Sequence, residues 1–73
     1  MDLHTWLDKP ENKGKAAWLA DQFGIERAAV SFWRDAGVPL DRMQRVQELT
    51  DGVVTVAEMV AHKMRLISQR QAA

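Results

Sequence analysis

Apolar residues recur at helical spacing in five stretches of the chain, separated by glycine and proline, and no stretch alternates like a strand for long. The first runs from Asp2 to Asp8, with Asp2 placed to cap it and Leu3, Trp6 and Leu7 on one face. Pro10 disfavours helical geometry at Lys9 and closes that helix, and Glu11–Gly14 reads as a polar loop. The second helix opens at Gly14 or Lys15 and stops at Gly24, a residue suited to a left-handed C-terminal position. Its buried stripe is Ala16, Leu19, Ala20 and Phe23. The third starts almost at once, near Glu26, buries Ala29, Val30 and Trp33, and ends after Ala36 at Gly37. Pro39 suits the first turn of a fourth helix, which carries Leu40, Met43, Val46, Gln47 and Leu49 and stops at Asp51-Gly52. Val53-Val54 reads as a short extended link. Thr55 with Glu58 makes a capping box that opens a fifth helix, where Val56, Met59, Val60, Lys63, Met64 and Ile67 fall at helical spacing. Gln69 to Ala73 is expected to fray. The pattern predicts an all-α fold, a compact bundle of about five short helices.

The near-absence of a loop between the second and third helices is the informative feature. Two helices joined by about three residues around a glycine must cross steeply, which calls for a small residue at the crossing and apolar residues around it. Ala20 lies four residues before Gly24, and Leu19, Phe23, Ile25, Val30 and Trp33 supply the apolar set. This is the pattern of a helix-turn-helix, spanning residues 16–35. With Ala20, Gly24, Ile25, Val30 and Trp33 at these positions, the stretch resembles the DNA-binding unit of phage Cro-type repressors, which have the lambda-repressor-like fold. The continuation Ala36-Gly37-Val38-Pro39-Leu40-Asp41-Arg42 and the later Leu49-Thr50-Asp51-Gly52 resemble small Cro and YdaS-like proteins. Proteins of that kind are encoded in phages and prophages, and the YdaS group is antitoxin-like. The resemblance covers residues 1–55, and the helix after Thr55 is longer than the group leads one to expect.

The resemblance implies that the third helix enters the major groove of double-stranded DNA. Carried onto this chain, its exposed positions are Glu26, Arg27, Ala28, Ser31 and Phe32. Arg27 is the strongest of these, because its guanidinium fork matches guanine O6 and N7. Ser31 can donate to or accept from several bases, and Ala28 can touch a thymine methyl. Glu26 either accepts from cytosine N4 or serves only as an acidic residue at a helix start. Phe32 stands where a polar residue is expected; it either meets a thymine methyl or packs against the first or fourth helix. Phosphate contacts fall to Lys13, Gly14, Lys15 and Ala16 at the opening of the second helix, where free amides and the dipole favour an anion, and to Arg34 and Arg42.

A lone recognition helix reads few base pairs, so a homodimer on a palindromic operator is expected. The segment 53–73 is the candidate interface, through Val54, Val56, Met59, Val60 and Met64. The same stripe can instead close the monomer core over Trp18 and Trp33.

Composition changes this picture little. With 73 residues the chain is sized for a single domain. Ten basic residues offset ten acidic ones, so no global basic excess marks a nucleic-acid binder, and the case rests on charge placement. The absence of cysteine excludes disulfides and thiolate chemistry. No apolar run is long enough to span a membrane, and the first residues do not read as a signal peptide, so a cytoplasmic location is expected. His4 and His62 share no metal-ligand spacing, and no phosphate loop or nucleophile elbow is present. These readings give no catalytic residue, no metal, no cofactor and no small-molecule effector. The expectation is a DNA-binding repressor. The alternative is an antitoxin or antirepressor that uses a helix-turn-helix to bind protein.

Overall fold

Local capping sets most helix boundaries. The computed structural model describes residues 1–72, with side chains as far as Gln69, and those residues form five α-helices and no strand. They are α1 (Leu3–Asp8), α2 (Lys15–Phe23), α3 (Arg27–Ala36), α4 (Leu40–Leu49) and α5 (Val56–Ala72).

Asp2 Oδ1 accepts from both the amide and the hydroxyl of Thr5 at 2.9 Å, satisfying one of the orphan donors at the start of α1. The segment expected as a polar loop contains a single 3-10 turn, Pro10–Asn12, where the Asn12 amide donates to Lys9 O at 2.9 Å. Gly24 ends α2 at φ 64° and ψ 35°. The amides of Gly24 and Ile25 turn back onto the carbonyls of Asp21 and Ala20, the Schellman arrangement that needs a left-handed residue. Pro39 sits one residue before α4 rather than within its first turn; its extended ψ of 140° places Leu40 as the first helical residue. Thr55 Oγ1 accepts from the Glu58 amide at 3.2 Å, and Gln47 Oε1 takes the Val56 amide at 2.8 Å. The start of α5 is thus held from its own side and from α4. The α5 helix continues through Ala72, beyond where fraying is expected, and Ala73 lies outside the described residues.

Every helix sends side chains to one core. Leu3 and Trp6 come from α1, Leu19 and Ala20 from α2, Val30 and Trp33 from α3, Met43 and Val46 from α4, and Met59 from α5. The links add Val38 and Val54. Phe23 meets Trp33 edge-on with ring centroids 5.8 Å apart, locking the end of α2 to α3. Thr50 is the one buried polar residue among the described side chains. Its hydroxyl donates to Val46 O at 2.9 Å and accepts from the Val54 amide at 3.2 Å, tying α4 to the link that precedes α5.

Two expected interface residues belong to this core. Val54 and Met59 are sealed inside the monomer, and Val56 is half-buried against it. The first three interior positions of the last segment therefore help to cover the bundle, with α5 packed against α3 and α4. Val60, Met64 and Ile67 remain exposed, at 38%, 57% and 41%, along a stripe of α5 with spacings of four and three residues.

Candidate nucleic-acid interface

Three residues, Gly24–Glu26, separate α2 from α3, so the N-terminus of α2 and the exposed side of α3 lie close on one face. There, with α1, they enclose an open groove of about 640 Å³. Lys13, Gly14, Ala16 and Ala17 line it at the opening of α2, Arg27, Ser31 and Arg34 line it from α3, and His4 and Asp8 from α1. The groove gathers three cations against one carboxylate, a net of +2 in a chain whose formal total is zero.

Each residue on α3 reaches this region through helical spacing. Val30 and Trp33 turn inward, which leaves Arg27, Ser31 and Arg34 on one flank, at intervals of four and three. Ala28 and Phe32, also four apart, lie farther round the exposed side. Glu26 is the exposed residue just before the first turn; its carbonyl accepts from Ala29 N at 3.0 Å and its side chain makes no capping bond. Phe32 is 61% exposed and lies outside the core. The space beneath α3 is taken by Val30 and Trp33, and most of the Phe32 ring faces solvent.

The expected phosphate contacts divide in two. Lys13, Gly14, Ala16 and Arg34 line the groove. Gly14 adopts φ 86° and offers no side chain to cap α2, so the first-turn amides keep their donors for an outside acceptor. Lys15 and Arg42 are diverted onto aromatic rings. The Lys15 ammonium stands 4.6 Å from the Trp18 ring centroid, and the Arg42 guanidinium lies 5.1 Å from that of Phe23. Neither lines the groove. Both side chains are half-buried, and the ring faces hold them where a solvated cation would otherwise be free.

Sequence reasoning missed His4, Asp8, Asn12 and Ala17. Asp8 Oδ1 pairs with Arg34 Nη2 at 3.0 Å across 26 residues, a contact no local pattern announces. Asn12 Nδ2 donates to Trp6 O at 2.8 Å and fixes the loop that carries Lys13. His4 and His62, at opposite ends of the sequence, meet edge-on with centroids 4.9 Å apart. His4 Nε2 is buried and makes no hydrogen bond. Burial holds the His4 imidazole below the ordinary histidine range, the charges of His62 and Arg34 act in the same direction, and Asp2 and Asp8 oppose them. Asp2 is held below the ordinary carboxylate range chiefly by the Thr5 amide. Among the described residues no three acidic or histidine side chains converge as a metal ion would require, and no helix is long and apolar enough to cross a membrane. Comparison of the chain with family models, with curated proteins and with solved structures returns no match.

Proposed function

We propose that this chain is a sequence-specific double-stranded DNA-binding repressor of the Cro-like kind, built on a helix-turn-helix formed by α2 and α3. The observation that carries the reading is the groove itself: a neutral chain concentrates a net of +2 where a helix start and the exposed side of α3 meet. Phosphates need cations and free amides, and base edges need side chains on an adjoining helix face. Lys13 and the Gly14 corner serve the first need, with Arg34 beside them. Arg27 and Ser31 serve the second, Arg27 by a two-pronged bond to guanine. Repression follows from occupancy of an operator that a polymerase must pass. A binding module in the cytoplasm of a bacterial host, without cofactor or effector, fits this picture.

Pairing of two copies completes the reading. The exposed stripe Val60, Met64 and Ile67 is the surface α5 offers to a second chain. Three side chains are far short of the roughly 1,200 Å² of a stable interface, so the dimer is weak in solution and forms on adjacent half-sites. The exposed Phe32 and the zero net charge also support a second reading, in which the same scaffold docks on another protein as an antitoxin or antirepressor.

Selection from a random duplex library at near-physiological salt separates the two. Enrichment of a palindrome with half-sites about one helical turn apart is the expected result. Neutralising Lys13 should then flatten the dependence of log affinity on log salt by about two units, one for each subunit on the operator, whereas neutralising Arg27 should chiefly relax discrimination at one position in each half-site. A folded protein that enriches nothing overturns the repressor reading.

A further inference from the structure

We propose that Phe32 is a specificity-determining residue that recognises the C5 methyl group of a pyrimidine in the major groove, thymine in unmodified DNA. The inference rests on the reading of α3 as the helix that meets duplex DNA. Phe32 is the largest apolar side chain on the exposed side of α3, and 61% of it faces solvent while Val30 and Trp33 fill the core. An aromatic ring makes no hydrogen bond to a base edge. The apolar group that the major groove presents on standard bases is the thymine methyl, and a methylated cytosine presents the same group at the same place.

The neighbours of Phe32 fit that contact. Ala28, exposed one turn earlier on the same side, leaves room for a base pair to approach the ring. Arg27, Ser31 and Arg34 place the cationic groove along the adjoining flank, so a polyanion is drawn to this side of the helix. Five residues of helix separate Arg27 from Phe32, roughly 7.5 Å along the axis, or about two base-pair steps. The same five residues turn Phe32 about 140° around the helix from Arg27, so the two side chains flank the exposed side of α3 and meet different base pairs. The acidic Asp35 lies a further three residues along, near the end of α3, away from the part of the helix that enters the groove first.

The test uses the full chain and its selected duplex. Each thymine is replaced in turn by uracil, which lacks only the methyl, and each cytosine by 5-methylcytosine; binding is followed by fluorescence anisotropy at fixed salt. Uracil at the position read by Phe32 in one half-site should weaken binding about fourfold, the value of one buried methyl, and roughly fifteenfold when both half-sites are changed. Phe32→Ala, at a largely exposed position, should fold normally and bind the thymine and uracil duplexes alike. Phe32→Leu should keep most of the discrimination. Equal binding of thymine and uracil at every position overturns the proposal and leaves the DNA reading intact. A uracil penalty that persists in Phe32→Ala overturns it too and moves the methyl contact to another residue such as Ala28. If no duplex is enriched but Phe32→Ala abolishes a protein complex, both the proposal and the DNA reading fail.

Discussion

Gly37 should be the glycine least able to accept a side chain, and the structure says by how much. Its φ of 83° with ψ of 159° is a conformation essentially confined to glycine. It is also buried against α5, where an added Cβ would stand 3.1 Å from Lys63 Cγ, 3.3 Å from its Cβ and 3.5 Å from its Cα. The Lys63 stem cannot swing away freely, since its Nζ donates to Val38 O at 3.2 Å. Backbone strain costs about 2 kcal/mol, and forcing the close contact adds about 1–2 kcal/mol. Lower unfolded-state entropy returns about 0.5 kcal/mol, so Gly37→Ala should destabilise by about 3 kcal/mol. Gly24 is the control. It has φ 64° in the left-handed region and open space around the Cβ position, so Gly24→Ala carries only the conformational penalty, about 1 kcal/mol after the same correction. Urea unfolding followed by tryptophan fluorescence reads the difference, because Trp6 and Trp33 are core residues. With m near 1 kcal/mol/M for so small a chain, the midpoints should fall by about 3 M and 1 M respectively. Adding Lys63→Ala to Gly37→Ala should recover part of the loss beyond additivity, as the Cγ contact is removed. Equal midpoints for the two glycine variants, or no coupling to Lys63, would refute the argument from close approach.

Three further outcomes are expected. Thr50→Val keeps the shape but leaves the buried Val54 amide without an acceptor, so it should lower stability by about 1–3 kcal/mol at unchanged m, while Thr50→Ser should be milder; a Thr50→Val protein as stable as the parent would show that this hydroxyl is dispensable. His4 titrates below its unfolded value near 6.5, so its neutral form contributes stability that is complete above that pH and is lost as pH falls through the lower folded value. The unfolding midpoint should therefore drop as pH falls below about 6.5, and His4→Leu should flatten that slope; parallel slopes would remove His4 as the cause, since the depressed Asp2 acts only below about pH 4. Asp8→Asn frees Arg34 and raises the groove from +2 to +3 in each copy, so duplex affinity should rise and its salt dependence steepen by about two units for the dimer. Because that ion pair is exposed, thermal stability should change by less than about 1 kcal/mol, and an unchanged salt slope would place Arg34 outside the interface.

The sequence by itself determined most of the places where helices begin or end, though not the start of α4 or the end of α5. Asp2, Gly24, Gly37 and the Thr55–Glu58 pair act through bonds and dihedrals that span five residues or fewer, so the local segment carries them. It also marked Val30 and Trp33 as inward, because one helix face must be covered. Which apolar residues after Gly52 would close the monomer was not legible: Met59, Val60 and Met64 fall at helical spacing, and the packing of α5 on α3 and α4 sends Met59 inside, with Val54 buried from the link before it. The cations obeyed the same division. Lys15 and Arg42 look like Lys13 and Arg27 in sequence, yet ring faces contributed by Trp18 and Phe23 take them out of the groove. The pairs Asp8–Arg34 and His4–His62 join residues 26 and 58 positions apart. Local propensity carries no information over such separations. The tertiary fold creates these contacts, because burying one shared core fixes how the helices lie against each other and so which charges and rings end up as neighbours.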